Sequence, residues 1–309
     1  MTWPKESGIR RPAVAGRFYP ADATECRNWA TQYVNAGAHK SGATATNGMG
    51  GILRGGTLWG GIVPHAGWIC SGAIAGETIG ALKSARPDAD LIVVFGAIHT
   101  PIPTKLAALD SHAKWVEPSG ESAVIQDVRA GLREKSDSFV VDDRFHLHEH
   151  AVEVELPLIE VAWPNAAILP IEIPLAMNAA AIGRETARRV MQSNRRAVFL
   201  ASSDLTHYGP NYGFAPAGIG THGLDWAKQN DRRLLDLVER FDVDAIVPEV
   251  ATRANACGGG AIAAMLAACR EYGAGSATVI THANSFETLK TIAPQTPDNA
   301  VGYAAVIVG

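Results

Sequence analysis

Three histidines stand just past short apolar runs: His65 in GGIVPHAGW, His99 in LIVVFGAIHT and His207 in AVFLASSDLTHYG. If these runs are neighbouring parallel strands, their carboxyl ends share one edge, where imidazoles far apart in the chain can meet. Imidazole is the commonest neutral metal ligand and the side chain that titrates near neutral pH. A fourth candidate is Cys257 in NACGGGAIAAM, immediately ahead of a small-residue helix. The unpaired N–H groups and dipole of such a helix start favour thiolate over thiol, and a thiolate is a soft metal ligand. The remaining cysteines, Cys26, Cys70 and Cys269, read as small buried apolar side chains. No CxxC pair is present, so a zinc or redox dithiol is not expected.

The densest group of ionisable residues is HLHEHAVEVELP, from His146 to Pro157. Read as a helix over Glu149 to Ala162, it aligns His150 with Glu153 on one face. Val152, Val154, Leu156, Leu158 and Ile159 are apolar nearly all round, so this helix is expected to be buried and its carboxylates to find partners. His150 with Glu153 is then a candidate proton-handling pair, and His146 and His148 read as solvated loop residues. Ser202-Ser203-Asp204 with His207 offers the residue types of a hydrolase, but neither serine sits in the Gly-x-Ser-x-Gly turn that a nucleophile elbow requires. Asp204, ending a strand, suits hydrogen-bonding of a metal-binding imidazole. No Gly-x-Gly-x-x-Gly follows a strand and no P-loop occurs, so nucleotide cofactors have no support.

The elements that must carry these residues alternate. Leu58 to Val63, Leu91 to Phe95, Ala166 to Ile173, Ala197 to Ala201, Ala277 to Ile280 and Val301 to Val308 read as strands. Ser71 to Ser84, Ala123 to Glu134, Glu149 to Ala162, Ala179 to Ser193, Leu224 to Phe241 and Gly259 to Tyr272 read as helices. The expected fold is a three-layer α/β/α sandwich with a largely parallel central sheet, formed as one domain over residues 1–309. The Gly/Ala/Thr/Asn segment from Gly37 to Gly56 and the Gly/Pro-rich stretch from Tyr208 to Leu224 read as surface loops.

Composition narrows the function classes. With 47% hydrophobic and 19% charged residues the chain is of ordinary globular type. A net charge of -4 leaves no basic field for a run of phosphates, so nucleic acid is not an expected partner. No stretch approaches the roughly 18 to 20 apolar residues of a spanning helix, and the start MTWPKESGIRRP lacks the apolar centre of a secretory signal. A cytoplasmic location away from membranes is the expectation.

In this order and at these intervals, AGRFYP, VPHAGW-x-x-SG, Gly96-x-x-His99, Glu149-His150-x-x-Glu153-x-x-Leu156-Pro157, SSD-x-x-HYG and Ala256-Cys257-Gly258 resemble the Memo-like family, called in bacteria AmmeMemoRadiSam system protein B. The resemblance covers nearly the whole chain. It implies the fold of the class III extradiol ring-cleaving dioxygenases, and a metal held by His65, His99 and Cys257 with His207 and His150 beside it. Those dioxygenases hold Fe(II) with two histidines and a carboxylate, whereas here a cysteine stands in the carboxylate position, which favours Cu(I), Zn(II) or thiolate-ligated iron. Thr100 also replaces a second histidine found in some relatives. The expected function is therefore that of a non-haem redox enzyme using Fe(II) or Cu, with Zn an alternative, on an unidentified small-molecule or peptide substrate. His207, oriented by Asp204, would move a proton, and His150 with Glu153 would give a second path. A different reading is a non-catalytic binding or signalling protein whose dioxygenase-like cleft takes a peptide or a protein partner of the AmmeMemoRadiSam system. A third is a zinc hydrolase.

Overall fold

The computed structural model describes residues 8–46 and 57–309. Its strands are β1 (Ile9–Arg10), β2 (Gly60–Val63), β3 (Leu91–Ala97), β4 (Ala107–Leu109), β5 (Lys114–Glu117), β6 (Gly120–Ala123), β7 (Phe139–Val141), β8 (Ala167–Ile173), β9 (Ala197–Ser202), β10 (His207–Tyr208), β11 (Ala277–Asn284) and β12 (Ala300–Val308). Its helices are α1 (Ala23–Thr46), α2 (Trp68–Ala85), α3 (Gln126–Lys135), α4 (Leu156–Ala162), α5 (Ala179–Gln192), α6 (Gly220–Glu239), α7 (Val243–Arg253), α8 (Gly259–Glu271) and α9 (Ser285–Leu289).

Nine strands form the main sheet, in the order β10-β12-β2-β9-β3-β8-β4-β7, with β11 paired to β12. The four central strands β2, β9, β3 and β8 are parallel. Direction reverses on both flanks, where β12 runs antiparallel to β2 and β4 antiparallel to β8. The parallel arrangement expected from strand–helix alternation thus holds for the centre of the sheet and gives way at its sides. A second, three-stranded sheet, β1-β5-β6, has no counterpart in the sequence reading.

Helices cover both faces, and the side chains of the central strands divide between them with a period of two. Leu91, Val93 and Phe95 of β3 join Phe199 of β9 and residues of α3, α5, α6, α7 and α8 in one apolar cluster. Ile92 and Val94, with Val198 and Leu200, join residues of α1, α2 and α4 in the other. A strand buried on both faces has no polar face to show, which is why these runs read as continuously apolar. The result is a three-layer α/β sandwich. Among the described residues, no helix is long and apolar enough to cross a membrane.

Two segments depart from the sequence reading. The stretch from Gly37 to Gly56, read as a loop, is helical as far as Thr46, and residues 47–56 lie outside the described residues. Its glycine has a packing reason: a Cβ on Gly37 would collide with the carbonyl oxygen of Gly76 on α2, so the two helices approach backbone to backbone. The helix expected over Glu149 to Ala162 starts late. Residues 149–152 are non-helical, Glu153–Glu155 form a single 3-10 turn, and α4 begins at Leu156 with Pro157 in its first turn. A proline there costs no hydrogen bond, because the first turn of a helix has no partner for its N–H groups. The stretch from Tyr208 to Leu224 contains a 3-10 turn over Pro210–Tyr212 and enters α6 at Gly220.

Candidate metal centre

The parallel strands bring the chemistry-bearing residues to one edge. Val63 of β2 is in register with Ser202 of β9, so the chain leaving β2 toward His65 runs beside the chain leaving β9 toward Asp204. His65 and His99 each stand two residues past their strands, on β2 and β3. Cys257 arrives from another direction, in the turn before α8. An antiparallel bridge between Leu205 and Ala256 holds this turn against the end of β9. The backbone N–H of Cys257 donates to the Asp204 carbonyl at 3.2 Å, and that of Gly258 donates to Ser203 Oγ at 2.9 Å. A Cβ on Gly258 would press into Ser203, so only glycine lets the turn sit this close.

One ligand atom from each of His65, His99 and Cys257 lies within 4.8 Å of the others. Cys257 Sγ is 3.2 Å from His65 Nε2. The remaining nitrogen of each histidine is tied down. Ser202 Oγ donates its single proton to the Ala151 carbonyl at 2.6 Å and lies 2.9 Å from His65 Nδ1. It must therefore accept from Nδ1–H, which leaves the lone pair on Nε2, toward the sulfur. Burial, with the nearby His150 and His99 charges, keeps His65 neutral by lowering its pKa well below the usual value. A neutral imidazole with Nε2 free is the form that binds a metal.

His99 is held by Glu149. Its backbone N–H donates to Glu149 Oε2 at 2.7 Å, and its Nδ1 is 2.9 Å from Oε1. A carboxylate can only accept, so Nδ1 carries the proton and Nε2 faces the cysteine. Glu149 Oε1 also accepts the backbone N–H groups of His150 and Ala151, at 2.8 and 3.1 Å. Burial resists its ionisation, but the hydrogen bonds from His150 and His99 prevail and hold its pKa well below the usual carboxylate range. For His99, burial opposes the charge while hydrogen bonds to Cys257 and Glu149 outweigh it, pushing the metal-free imidazole up to about 11. The donor set of two imidazoles and a thiol, each imidazole fixed by a partner behind it, fits a single metal ion.

His150 stands beside this cluster, its ring 5.1 Å from that of His65 and 4.7 Å from that of His99, centroid to centroid. Phe18 also packs against it, with ring centroids 4.8 Å apart. Its carboxylate partner is Glu149, with His150 Nδ1 3.2 Å from Oε1, and not Glu153 as the helical spacing suggested. Glu153 is fully buried and occupied elsewhere: it pairs with Arg10, accepts the N–H groups of Ala13 and Val14 at 2.8 Å, and takes the Tyr19 hydroxyl at 2.8 Å. Since the chain is not helical between 149 and 152, the three-residue spacing does not bring the two side chains together.

His207 lies on β10, its ring edge-on to Tyr212 at 5.1 Å. Burial lowers its pKa, as does the charge of His99. Asp204, expected to orient it, instead accepts the backbone N–H groups of His65 and Ala66 through Oδ1, at 2.9 and 3.3 Å. Burial pushes the Asp204 carboxyl up to about 7 against those hydrogen bonds. His148 is exposed as expected of a loop residue, whereas His146 is fully buried. Sequence reasoning missed Glu149 as the partner of two histidines; its position immediately before His150 was the available signal. It also missed a group formed by Asp110, His112 and Asp143. There, Trp115 and His112 donate to the Asp110 carboxylate and Ser111 donates to that of Asp143, so the group is satisfied internally.

Comparison with known proteins places the chain. The family model for Memo-like protein matches residues 10–307. The chain belongs to the Memo family. It is 32% identical over 305 residues to a MEMO1 family protein of Methanosarcina acetivorans, covering 97% of this chain and 99% of the relative. It is 29% identical over 308 residues to a MEMO1 family protein of Thermococcus onnurineus, with the same coverages. Among solved structures, an uncharacterized protein from Escherichia coli K12 aligns with a TM-score of 0.45 at 12% identity, over 72% of this chain and 87% of its own, too distant to bear on function.

Proposed function

We propose that the protein is a non-haem metal-dependent oxidoreductase that holds one Fe(II) or Cu ion through His65, His99 and Cys257. The observation supporting this reading is the convergence of their three donor atoms within 4.8 Å, with the far nitrogen of each histidine already engaged by Ser202 or Glu149. Two imidazoles and a thiolate leave coordination positions open, and the bound ion would supply there the capacity to coordinate dioxygen or an oxygen-bearing substrate. The protein's own part is to fix both imidazoles with Nδ1 engaged, burying His65 while the rim formed by His99 and Cys257 stays open to solvent. His150 and His207 stand at the edge of the cluster as the groups that hold or pass a proton, His150 with its Nδ1 against Glu149 and its Nε2 free of that contact. General acid–base assistance of this kind is worth about 10²–10⁴-fold in rate.

Metal analysis of untagged protein, compared with the variants His65→Ala and Cys257→Ala, tests the site. Loss of metal in both supports it, and unchanged content in both removes it. Anaerobic loading with Fe(II) or Cu(I), followed by oxygen-uptake measurements on a panel of catechols and thiols, tests the activity. Metal held without any oxygen consumption favours the binding-protein reading instead.

A further inference from the structure

Glu172 on β8 is fully buried, and neither of its carboxylate oxygens has a hydrogen-bond partner. Oε1 lies 3.8 Å from Nδ1 of His146, which is itself fully buried and equally without a partner. The other ring nitrogen of His146, Nε2, is 3.1 Å from the carbonyl oxygen of Ala108. A carbonyl only accepts, so Nε2 carries the ring proton and Nδ1 of the neutral ring presents a lone pair. An ionised Glu172 would set a second acceptor against that lone pair in a dry interior, where an unpaired charge is strongly disfavoured. A carboxylic acid removes the conflict, because its O–H is the donor that Nδ1 lacks.

The pair also sits behind the candidate metal centre. Register between β3 and β8 sets Glu172 opposite Gly96, three residues before His99. A Cβ on Gly96 would collide with the Glu172 carboxyl, so this group lies directly against the strand that ends in His99. Besides His146, the charged groups that act on Glu172 are Glu149, His99, Arg10 and Asp110. Burial and the Glu149 charge raise its proton affinity, while His99 and Arg10 oppose them. Burial likewise favours the neutral form of His146.

We propose that Glu172 is held as a neutral acid facing the lone pair of His146 Nδ1, and that its carboxyl is coupled to the metal centre through the strand ending in His99, against which it packs. The coupling to the metal centre rests on the function proposed above; the neutral acid does not. Infrared difference spectra of the full chain at neutral pH, wild type against Glu172→Gln, should show loss of one protonated-carboxyl band. No change in that region would mean that Glu172 is ionised and His146 doubly protonated, which overturns the proposal. Carbon-13 NMR of the unmodified chain with labelled glutamate carboxyls gives the same answer without a substitution. It should find Glu172 neutral, together with Glu155, the other fully buried glutamate whose oxygens lack partners; a spectrum with every glutamate ionised overturns it. Loading with Zn(II), a redox-silent probe, should shift the Glu172 band. An unshifted band with Zn(II) bound ends the link to the centre. Failure of Zn(II) to bind counts against the metal site and the link alike, and leaves the neutral acid decided by the first spectra.

Discussion

Glu149 meets His99 at two points, accepting its backbone N–H at 2.7 Å through Oε2 and contacting its ring Nδ1 at 2.9 Å through Oε1. The same Oε1 takes the N–H groups of His150 and Ala151. One carboxylate therefore binds the end of β3 to the loop carrying the neighbouring imidazole, and it fixes both the ring orientation of His99 and the nitrogen left for a metal.

Replacing this group has a defined consequence. Glu149→Gln removes the charge and turns one acceptor into a donor that clashes with N–H groups. Loss of a carboxylate behind a metal-binding histidine costs about 10–100-fold in affinity. Competition against a chromophoric chelator measures it, and wild-type affinity in the variant would show that His99 does not depend on Glu149.

A metal that binds only the folded chain raises its melting temperature with concentration. Removal by a chelator should lower the melting temperature of the wild type, and addition of the ion should restore it. Cys257→Ser should show little of this shift. An equal shift in the variant would place the stabilising ion elsewhere.

Glu153 has a structural assignment that separates it from the centre. Glu153→Gln strips Arg10 of its buried counter-charge, and breaking a pair of this kind costs roughly 3–5 kcal/mol. Urea denaturation should report that loss, while metal stoichiometry below the transition stays at the wild-type value. A variant as stable as wild type would contradict the role given to the pair.

Asp231 provides a pH test away from the centre. It is almost fully buried, its Oδ1 accepting the Thr206 N–H at 2.8 Å and its Oδ2 lying 3.0 Å from His282 Nε2. Burial raises its pKa above the ordinary aspartate value, with the hydrogen bonds from His282 and Thr206 opposing. For an acid raised by folding, the stabilising contribution is complete below the unfolded-state pKa and is lost as pH climbs through the folded-state pKa. Asp231→Asn keeps an acceptor for Thr206 and cannot ionise, so wild-type stability should fall relative to the variant as pH rises from the ordinary aspartate value. Parallel stability profiles, taken from denaturation midpoints across that range, would refute this.

The central sheet was legible because strands buried on both faces must be apolar throughout, and Leu91–Ala97 and Ala197–Ser202 are. The placement of His65 and His99 beyond strand ends was legible for the same reason. The partner of His150 was not. The helical spacing of His150 and Glu153 requires a helix that the backbone does not form before Glu153, and Pro157 marks that later start. Helix α1 was hidden by its Gly- and Ala-rich end, where close packing on Gly76 and not loop formation accounts for the glycine. Its start carried a signal: Asp22 Oδ1 accepts the Glu25 N–H at 2.9 Å, a short local cap written in the sequence as Asp-x-x-Glu.

The ligand atoms come from the end of β2, the end of β3 and the turn before α8, and the sulfur follows both imidazoles by most of the polypeptide. During synthesis the ribosome releases His65 and His99 long before Cys257 exists, and the two rings converge only once β9 has been inserted between their strands. A truncated product ending before Cys257 carries both imidazoles and lacks the third donor. Capture of an ion at the proposed centre would thereby be reserved for chains that have been translated past that turn and have closed their sheet.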